Sequence, residues 1–181
     1  MSQLSSPPWS AKRVAQTAAQ LGARVVVANP GRVMTAGTAK LELWGGTQLS
    51  DTGKDESGEE PAVENNSSVV IKATVDELRV VLPGDAEPEE QHHILTGGTD
   101  LSSDVLVLPH HGSARQYEGF WAATGASVAV ASAGQGNPFG HPSYKALSLA
   151  KRMGMQLHRT DLEGTVLLAR NGGSVLVQTR S

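Results

Sequence analysis

Carboxylate and imidazole side chains follow predicted strands at several points of the chain. Asp85 comes just after the apolar run RVVLP, His110 and His111 follow DVLVL, and His141 lies in the loop after SVAVAS. Because loops at one edge of an α/β sheet assemble functional sites over a rigid frame, we expect these side chains to converge. Carboxylate and imidazole are ligands that Zn²⁺ and Mn²⁺ accept, so the pattern indicates a metal site.

Each of these residues also has a plain structural interpretation. Gly-Asp after a strand is usually a turn, paired loop histidines are often surface residues, and the GHP sequence at 140–142 could be a turn alone. His92 and His93 fall beside acidic residues of a predicted helix, where we expect them to face solvent, and His158 on a strand is expected to be structural. Taken singly, none of these residues decides the function.

Strands alternating with helices must position these side chains, and hairpins interrupt the alternation. This pattern predicts an α/β fold with a mixed sheet flanked by helices. One hairpin is predicted to turn at Asp76, and one helix to begin at Pro88 and run through EEQHHIL. The other predicted helices cover 11–21, 115–125 and 143–153, and the predicted strands cover 23–28, 40–44, 68–75, 77–83, 104–108 and 127–132, with three more after Gly154.

Composition narrows the class of protein. The chain has 181 residues, 39% hydrophobic and 18% charged, which is typical of a globular domain with its own core. It has no cysteine, which excludes a disulfide scaffold, a zinc finger and a thiol nucleophile. No apolar run approaches the length of a membrane span and no signal peptide is visible, so we expect a soluble piece. We expect 1–8 to be a disordered lead-in and 9–181 to form the domain.

Charge is distributed unevenly along the chain. Segment 51–64 holds six acidic residues and one lysine, and its Gly, Ser and Pro content predicts an acidic flexible loop. Since the whole chain carries −3, the remainder is mildly basic at +2. The overall charge therefore does not exclude DNA as a partner.

Four motifs occur in an order that resembles a known family. They are LPGDAEPEEQ (82–91), DVLVLPHHGS (104–113), FGHPSYKAL (139–147) and HRTDLEGTV (158–166), and NNSSVVIK (65–72) fits the same register. From about Trp9 to Val177 the chain resembles the last part of the metallo-β-lactamase-like domain of the ComEC family, the DNA-uptake channel proteins of competent bacteria. The resemblance implies an αββα fold, present mostly as its C-terminal half.

The family resemblance implies a set of metal ligands. Asp85 would bridge two ions, and His111, in preference to His110, would be a terminal ligand. Where many relatives of the fold carry a ligating histidine on an earlier strand, this chain offers Asn66 or Asn65, whose amide oxygens are weaker ligands. The implied cofactor of the complete domain is a divalent metal, zinc or manganese.

The resemblance also implies residues for catalysis and substrate binding. Asp85, His110 and His141 would be catalytic, with His110 beside the metal shell or on a phosphate and His141 as an acid or substrate contact. The candidate substrate contacts are Ser113, Arg115 and Arg159, although Arg115 is equally well explained as a surface residue at a helix start.

The signature H-x-H-x-D-H motif of the metallo-β-lactamase-like fold does not occur in this sequence. A two-metal hydrolase needs both ions, one to activate water and both to stabilise phosphoryl oxygens. We therefore interpret the chain as the C-terminal portion of a larger domain, inactive by itself and able to bind metal only weakly. An incomplete fold would expose an apolar face, which predicts a homodimer through that face.

Three functional hypotheses remain open. In the first, the complete protein is a metal-dependent nuclease that acts on DNA during internalisation, set in the bacterial plasma membrane with this domain extracytoplasmic and partnered by the rest of the channel. In the second, the domain is a small-molecule metallo-hydrolase of the same fold, acting on a phosphoester or lactone. In the third, it is a non-catalytic module that binds DNA or another partner. A wide basic surface would favour DNA, and a closed pocket would favour a small ester.

Overall fold

A seven-stranded mixed sheet is the frame of the protein, with three helices from residue 88 onward packed on one face and a β-hairpin on the other. The computed structural model describes residues 8–46 and 63–180. The helices are α1 (Pro8–Gln20), α2 (Val63–Asn66), α3 (Pro88–Thr96), α4 (Glu118–Thr124), α5 (Tyr144–Arg152) and α6 (Thr160–Glu163). The strands are β1 (Val33–Ala36), β2 (Ala39–Leu43), β3 (Ile71–Val75), β4 (Leu78–Leu82), β5 (Val105–Val107), β6 (Val128–Ala131), β7 (Gln156–Arg159), β8 (Thr165–Asn171) and β9 (Ser174–Arg180).

The large sheet is half antiparallel and half parallel. Strands β1 to β7 lie side by side in sequence order, antiparallel from β1 to β4 and parallel from β4 to β7. The turn between β3 and β4 has positive φ at Asp76 (φ 45°) and Glu77 (φ 68°), which is the twist that a two-residue hairpin requires. The predicted α/β class, the mixed sheet and this hairpin are confirmed.

Side chains alternate between the two faces of the parallel strands because successive residues of a strand point to opposite sides. On one face, Leu106 and Ala129 belong to the main core together with the fully buried Phe120 and Trp121 of α4. On the other face, an apolar layer of the sheet packs against strands β8 and β9. The sheet contributes Leu78, Val105, Val128 and Val130, and the hairpin contributes Val166, Leu168, Val175 and Val177.

The predicted strand at 23–28 is wrong. Residues 23–28 form no strand, and β2 instead pairs with β1, a strand that the sequence analysis did not predict. The turn at Gly37, where φ is 61°, brings β1 back beside β2 within two residues. Because such a local hairpin closes at little entropic cost, it takes this edge of the sheet despite the higher strand propensity of the valine run.

Two predicted segments fall mainly outside the described residues. Of the lead-in at 1–8, only Pro8 is described, and it begins α1. Of the acidic segment at 51–64, only the last two residues are described, and they begin α2. Within 8–46 and 63–180, none of the helices combines the length and the apolar character that crossing a bilayer requires.

Candidate functional site

The loops after β4, β5 and β6 bring Asp85, His110, His111 and His141 to one edge of the sheet. His111 Nε2 lies 3.3 Å from Asp85 Oδ1. The His110 ring centroid lies 5.3 Å from that of His141 and 6.2 Å from that of His111. These three strands are parallel, so their carboxyl ends lie at the same edge of the sheet. The carboxylate and the three imidazoles that follow the strands therefore lie close together.

The backbone of the PHHGS turn is strained. His110 (φ 46°) and His111 (φ 56°) both adopt the left-handed conformation. This conformation costs a residue with a side chain about 1 kcal/mol or more. Neighbouring segments hold the turn in place, since His110 N donates to Gly84 O at 2.9 Å and Ser143 N donates to Gly112 O at 2.8 Å. Consecutive strained residues cluster at functional sites, and here the strain sets the direction of two imidazoles.

His111 is oriented by a carbonyl group. Its Nδ1 lies 2.7 Å from Ser132 O. Because a carbonyl only accepts, Nδ1 carries the proton and Nε2 faces Asp85. Metal-binding histidines commonly donate their second ring N–H in this way. Two donors on one tetrahedral zinc ion, each about 2 Å from the metal, lie about 3.3 Å apart, which fits the His111–Asp85 separation.

The Asp85–His111 pair would supply only part of the ligand set of a metal ion. Within 8–46 and 63–180, no group of three or more His, Cys, Asp or Glu side chains is arranged to hold an ion. The side chains fit two coordination positions of one ion and leave the remaining positions to water or to other residues. Asp85 is itself fixed by the Ser68 hydroxyl, which accepts from Asp85 N at 3.1 Å.

His110 is oriented by a buried carboxylate that the sequence analysis did not identify. Its Nδ1 lies 2.7 Å from Oε1 of Glu87, a residue that is only 4% exposed. Glu87 Oε2 lies 2.9 Å from Arg115 Nε, and Arg115 Nη2 donates to Glu89 at 3.0 Å. The series of contacts from Arg115 through Glu87 to His110 therefore fixes the orientation of the His110 ring. Glu87 engages Nδ1 of this ring and does not engage Nε2.

His141 is held by Asn137 on the glycine-rich loop. The Asn137 side-chain amide donates to His141 O at 2.7 Å, and its oxygen accepts from His141 N at 3.2 Å. The buried Nδ1 of His141 has no hydrogen-bond partner among the described residues. Burial lowers the pKa of His141, and His110 and His111 lower it further, against the opposing effect of Asp85 and Glu87. This ring is therefore mostly neutral at pH 7.

Asn66 lies beside α3, and its amide oxygen is already engaged. The oxygen accepts from Glu87 N at 3.1 Å and from Glu90 N at 3.3 Å, which satisfies amides at the start of that helix. The side-chain amide of Asn65 lies 3.4 Å from Glu87 Oε1. Metal ligation by Asn66 or Asn65 stays a prediction, and these contacts do not bring either amide to the Asp85–His111 pair.

The three predicted substrate contacts make contacts within the protein. Arg115 binds Glu87 and Glu89, as described above. The buried Ser113 hydroxyl donates to Arg115 O at 3.1 Å. Arg159 donates from Nε and Nη2 to the two carboxylate oxygens of Asp161, at 3.1 and 2.6 Å. At the two arginines a phosphate would have to compete with these carboxylates, and the substrate-binding roles of all three residues stay predictions.

Comparison with known proteins finds sequence similarity to competence proteins. The chain matches no family model. It is 34% identical to ComE operon protein 3 of Bacillus subtilis over 108 residues, which are 59% of this chain and 14% of that protein. It is 32% identical to competence protein ComA of Neisseria gonorrhoeae over 117 residues, which are 64% of this chain and 17% of that protein.

The chain is similar over about 60% of its length to two competence proteins. This similarity supports a role in competence, which is the general part of the predicted function. It also agrees with the family resemblance of the sequence motifs. The matched regions span less than a fifth of the length of either relative. The activity, substrate and partners of the whole protein are therefore matters of proposal.

Proposed function

We propose that this chain is the part of a competence protein that acts on DNA during uptake, and that it supplies a half-site for a divalent cation used in phosphodiester hydrolysis. The observation that carries the proposal is the Asp85–His111 pair, with 3.3 Å between Oδ1 and Nε2 and with His111 Nδ1 engaged by Ser132 O. The competence-protein homologues support DNA as the substrate.

The candidate residues of this chain would have separate roles in such a site. Asp85 and His111 would hold the ion, which would activate water and stabilise phosphoryl oxygens. His110, fixed by Glu87, would present Nε2 to accept or donate a proton. For the whole protein we propose a plasma-membrane location with this domain outside the cytoplasm and the rest of the channel as its partner.

Calorimetric titration of the chain with Mn²⁺ and with Zn²⁺ tests the half-site directly. We expect one weak site that is lost in the Asp85→Ala/His111→Ala double variant. His92→Ala/His93→Ala is the matched control, because it removes two exposed imidazoles of α3 and leaves the pair intact. If the site double variant and the wild type bind both metals equally, the half-site proposal is wrong.

A second candidate function is DNA binding without turnover. It is favoured by the incomplete set of metal ligands in the described part of the chain. Binding of this kind would fall steeply with salt because phosphate contacts release counterions. A DNA titration with and without a chelator distinguishes the two functions. DNA affinity that the chelator leaves unchanged supports the binding module, whereas DNA affinity that depends on the metal supports the half-site.

A further inference from the structure

Phe139 is an exposed aromatic side chain on the glycine-rich loop of the candidate site. It is 78% exposed, whereas the other phenylalanine, Phe120, is fully buried in the core. Burying a phenylalanine side chain stabilises a protein by about 1.5–3 kcal/mol, so leaving one in water gives up stability. Isolated exposed apolar residues are common, so the exposure of Phe139 is informative only because the residue lies on the loop of the candidate site.

Phe139 lines a cavity that it shares with two histidines of the candidate site. The cavity has a volume of about 460 Å³, and its lining includes His111, Asn137 and His141. The Phe139 and His141 rings are nearly parallel, at 19°, with centroids 6.3 Å apart. This arrangement is an offset stack. Because most of the Phe139 side chain remains exposed, its ring can extend this stack with one more planar group.

Among the described residues that line the cavity, none is acidic and two are imidazoles, one of which lies 3.3 Å from the Asp85 carboxylate. A cation for a phosphate therefore has to come from the segment that follows the loop. Directly after the loop, the first turn of α5 presents Tyr144, which is 84% exposed, and the exposed Lys145, which forms no ion pair within the described residues. An exposed aromatic face followed in the chain by an exposed lysine offers both a stacking surface and a positive charge, which are the features that bind unpaired nucleotides.

We infer that Phe139 stacks an unpaired nucleobase, so that the site takes a single strand of DNA and not a duplex. The inference rests on the proposed function, in that it assumes that DNA is what the site binds. Bases in a duplex already stack on their neighbours and do not offer a free face, whereas each base of a single strand can lie on an aromatic ring. Phe139 would thereby position the adjacent phosphate near His111 and His141.

The test is a fluorescence-anisotropy titration of the full chain with a labelled fifteen-nucleotide oligothymidylate at fixed salt. We expect Phe139→Ala to weaken binding about 5-fold to 100-fold, the range that single base–aromatic stacks contribute. Phe139→Trp should keep the affinity within about 3-fold, since tryptophan offers a larger stacking face. Leu162→Ala is the matched control, because Leu162 is a similarly exposed apolar residue on α6, and it should change nothing.

Two further probes separate stacking from charge. An abasic strand of the same length keeps the phosphates and removes the bases, so wild type and Phe139→Ala should bind it equally and weakly. A duplex of the same length should likewise bind without dependence on Phe139. A Phe139 effect of equal size on the abasic strand or on the duplex would overturn the inference.

The remaining outcomes distinguish this inference from the proposed function. Equal affinity of wild type and Phe139→Ala for the oligothymidylate overturns the inference, and the DNA role survives if both bind in a salt-dependent manner. Absence of DNA binding by the wild type overturns both. Phe139-dependent binding of the single strand supports the inference whether or not the isolated chain cleaves DNA, because the half-site alone is expected to be inactive.

Discussion

Glu87 is a buried carboxylate whose two oxygens face His110 and Arg115. Removing one member of a buried, charged network leaves its partners without compensation, which costs several kcal/mol when the group is fully buried. We expect Glu87→Ala to lower the free energy of unfolding by about 2 kcal/mol or more, measured by urea denaturation. Arg152→Ala, which breaks the exposed pair with Glu118, should cost no more than about 0.5 kcal/mol. Equal losses in both variants would contradict a structural role for the Glu87 network.

Glu90 gives the protein a predictable pH dependence. Its side chain is fully buried on α3, and burial raises its pKa to about 7, with a smaller lowering by the backbone N–H of Gly46. Between the unfolded pKa near 4.5 and about 7, the folded state binds more protons than the unfolded state, so stability falls as the pH rises through this window. Across it, the loss due to Glu90 is on the order of 3 kcal/mol.

Replacing Glu90 by glutamine should abolish most of this loss. We expect Glu90→Gln to be more stable than the wild type at pH 8 and to show a flatter stability profile between pH 5 and 7, measured by denaturant unfolding at each pH. Glu118→Gln, at an exposed position on α4, should leave the profile unchanged. A wild-type profile that is already flat over this range would show that the Glu90 carboxyl is not held in its neutral form.

At the level of single residues, the sequence predicts which side chains converge at the site but not which residues hold those side chains in position. The convergence of Asp85 and His111 follows from their places after neighbouring parallel strands. The role of Glu87 does not, because its partner His110 lies 23 positions away and its own run of acidic residues is typical of a helix start. The positive φ of both histidines leaves only a weak local signal, since histidine adopts this conformation more often than most residues but far less often than glycine.

At the level of elements, the β8–β9 hairpin shares no ladder with the large sheet among the described residues and is held by an apolar layer. Leu168 packs into this layer, while its neighbour Leu167 points to the opposite face and is half exposed. We expect Leu168→Ala to lower the free energy of unfolding by about 1–2 kcal/mol, and Leu167→Ala by less than about 0.5 kcal/mol, both measured by urea denaturation. Similar losses at the two positions would mean that the hairpin does not pack on the sheet.

The predicted elements also show where propensity reaches its limit. The valine run in 23–28 has a strong preference for β structure, yet a strand needs a partner, and the adjacent position in the sheet goes to the short segment 33–36. Strands β5 and β6 were easier to predict, since their continuous apolar runs are typical of strands buried on both faces. Strand pairing, which depends on distant residues, decided the conformation of the valine run. The local sequence pattern decided that of β5 and β6.

At the level of the whole molecule, β1 leaves one edge of the large sheet open among the described residues. All four of its residues are exposed, including Val33 and Met34, and the strand carries none of the lysine or proline that usually protects an edge. Beside it lies an apolar cleft lined by residues that include Val25, Val27, Met34 and Leu41. An open edge and an apolar surface together favour pairing with a second copy, antiparallel across a two-fold axis.

Self-association should therefore depend on the β1 edge. We expect sedimentation equilibrium of the wild type to show a monomer–dimer equilibrium, and Met34→Lys to shift it to the monomer, because pairing would bring two lysines into an apolar contact. Leu162→Lys adds the same charge at an exposed position of α6, away from the edge, and should leave the equilibrium unchanged. A wild type that stays monomeric at high concentration, or equal weakening by the two lysines, would show that copies do not meet through β1. A dimer lost only in Met34→Lys would mean that the open edge, and not general surface hydrophobicity, sets the assembly.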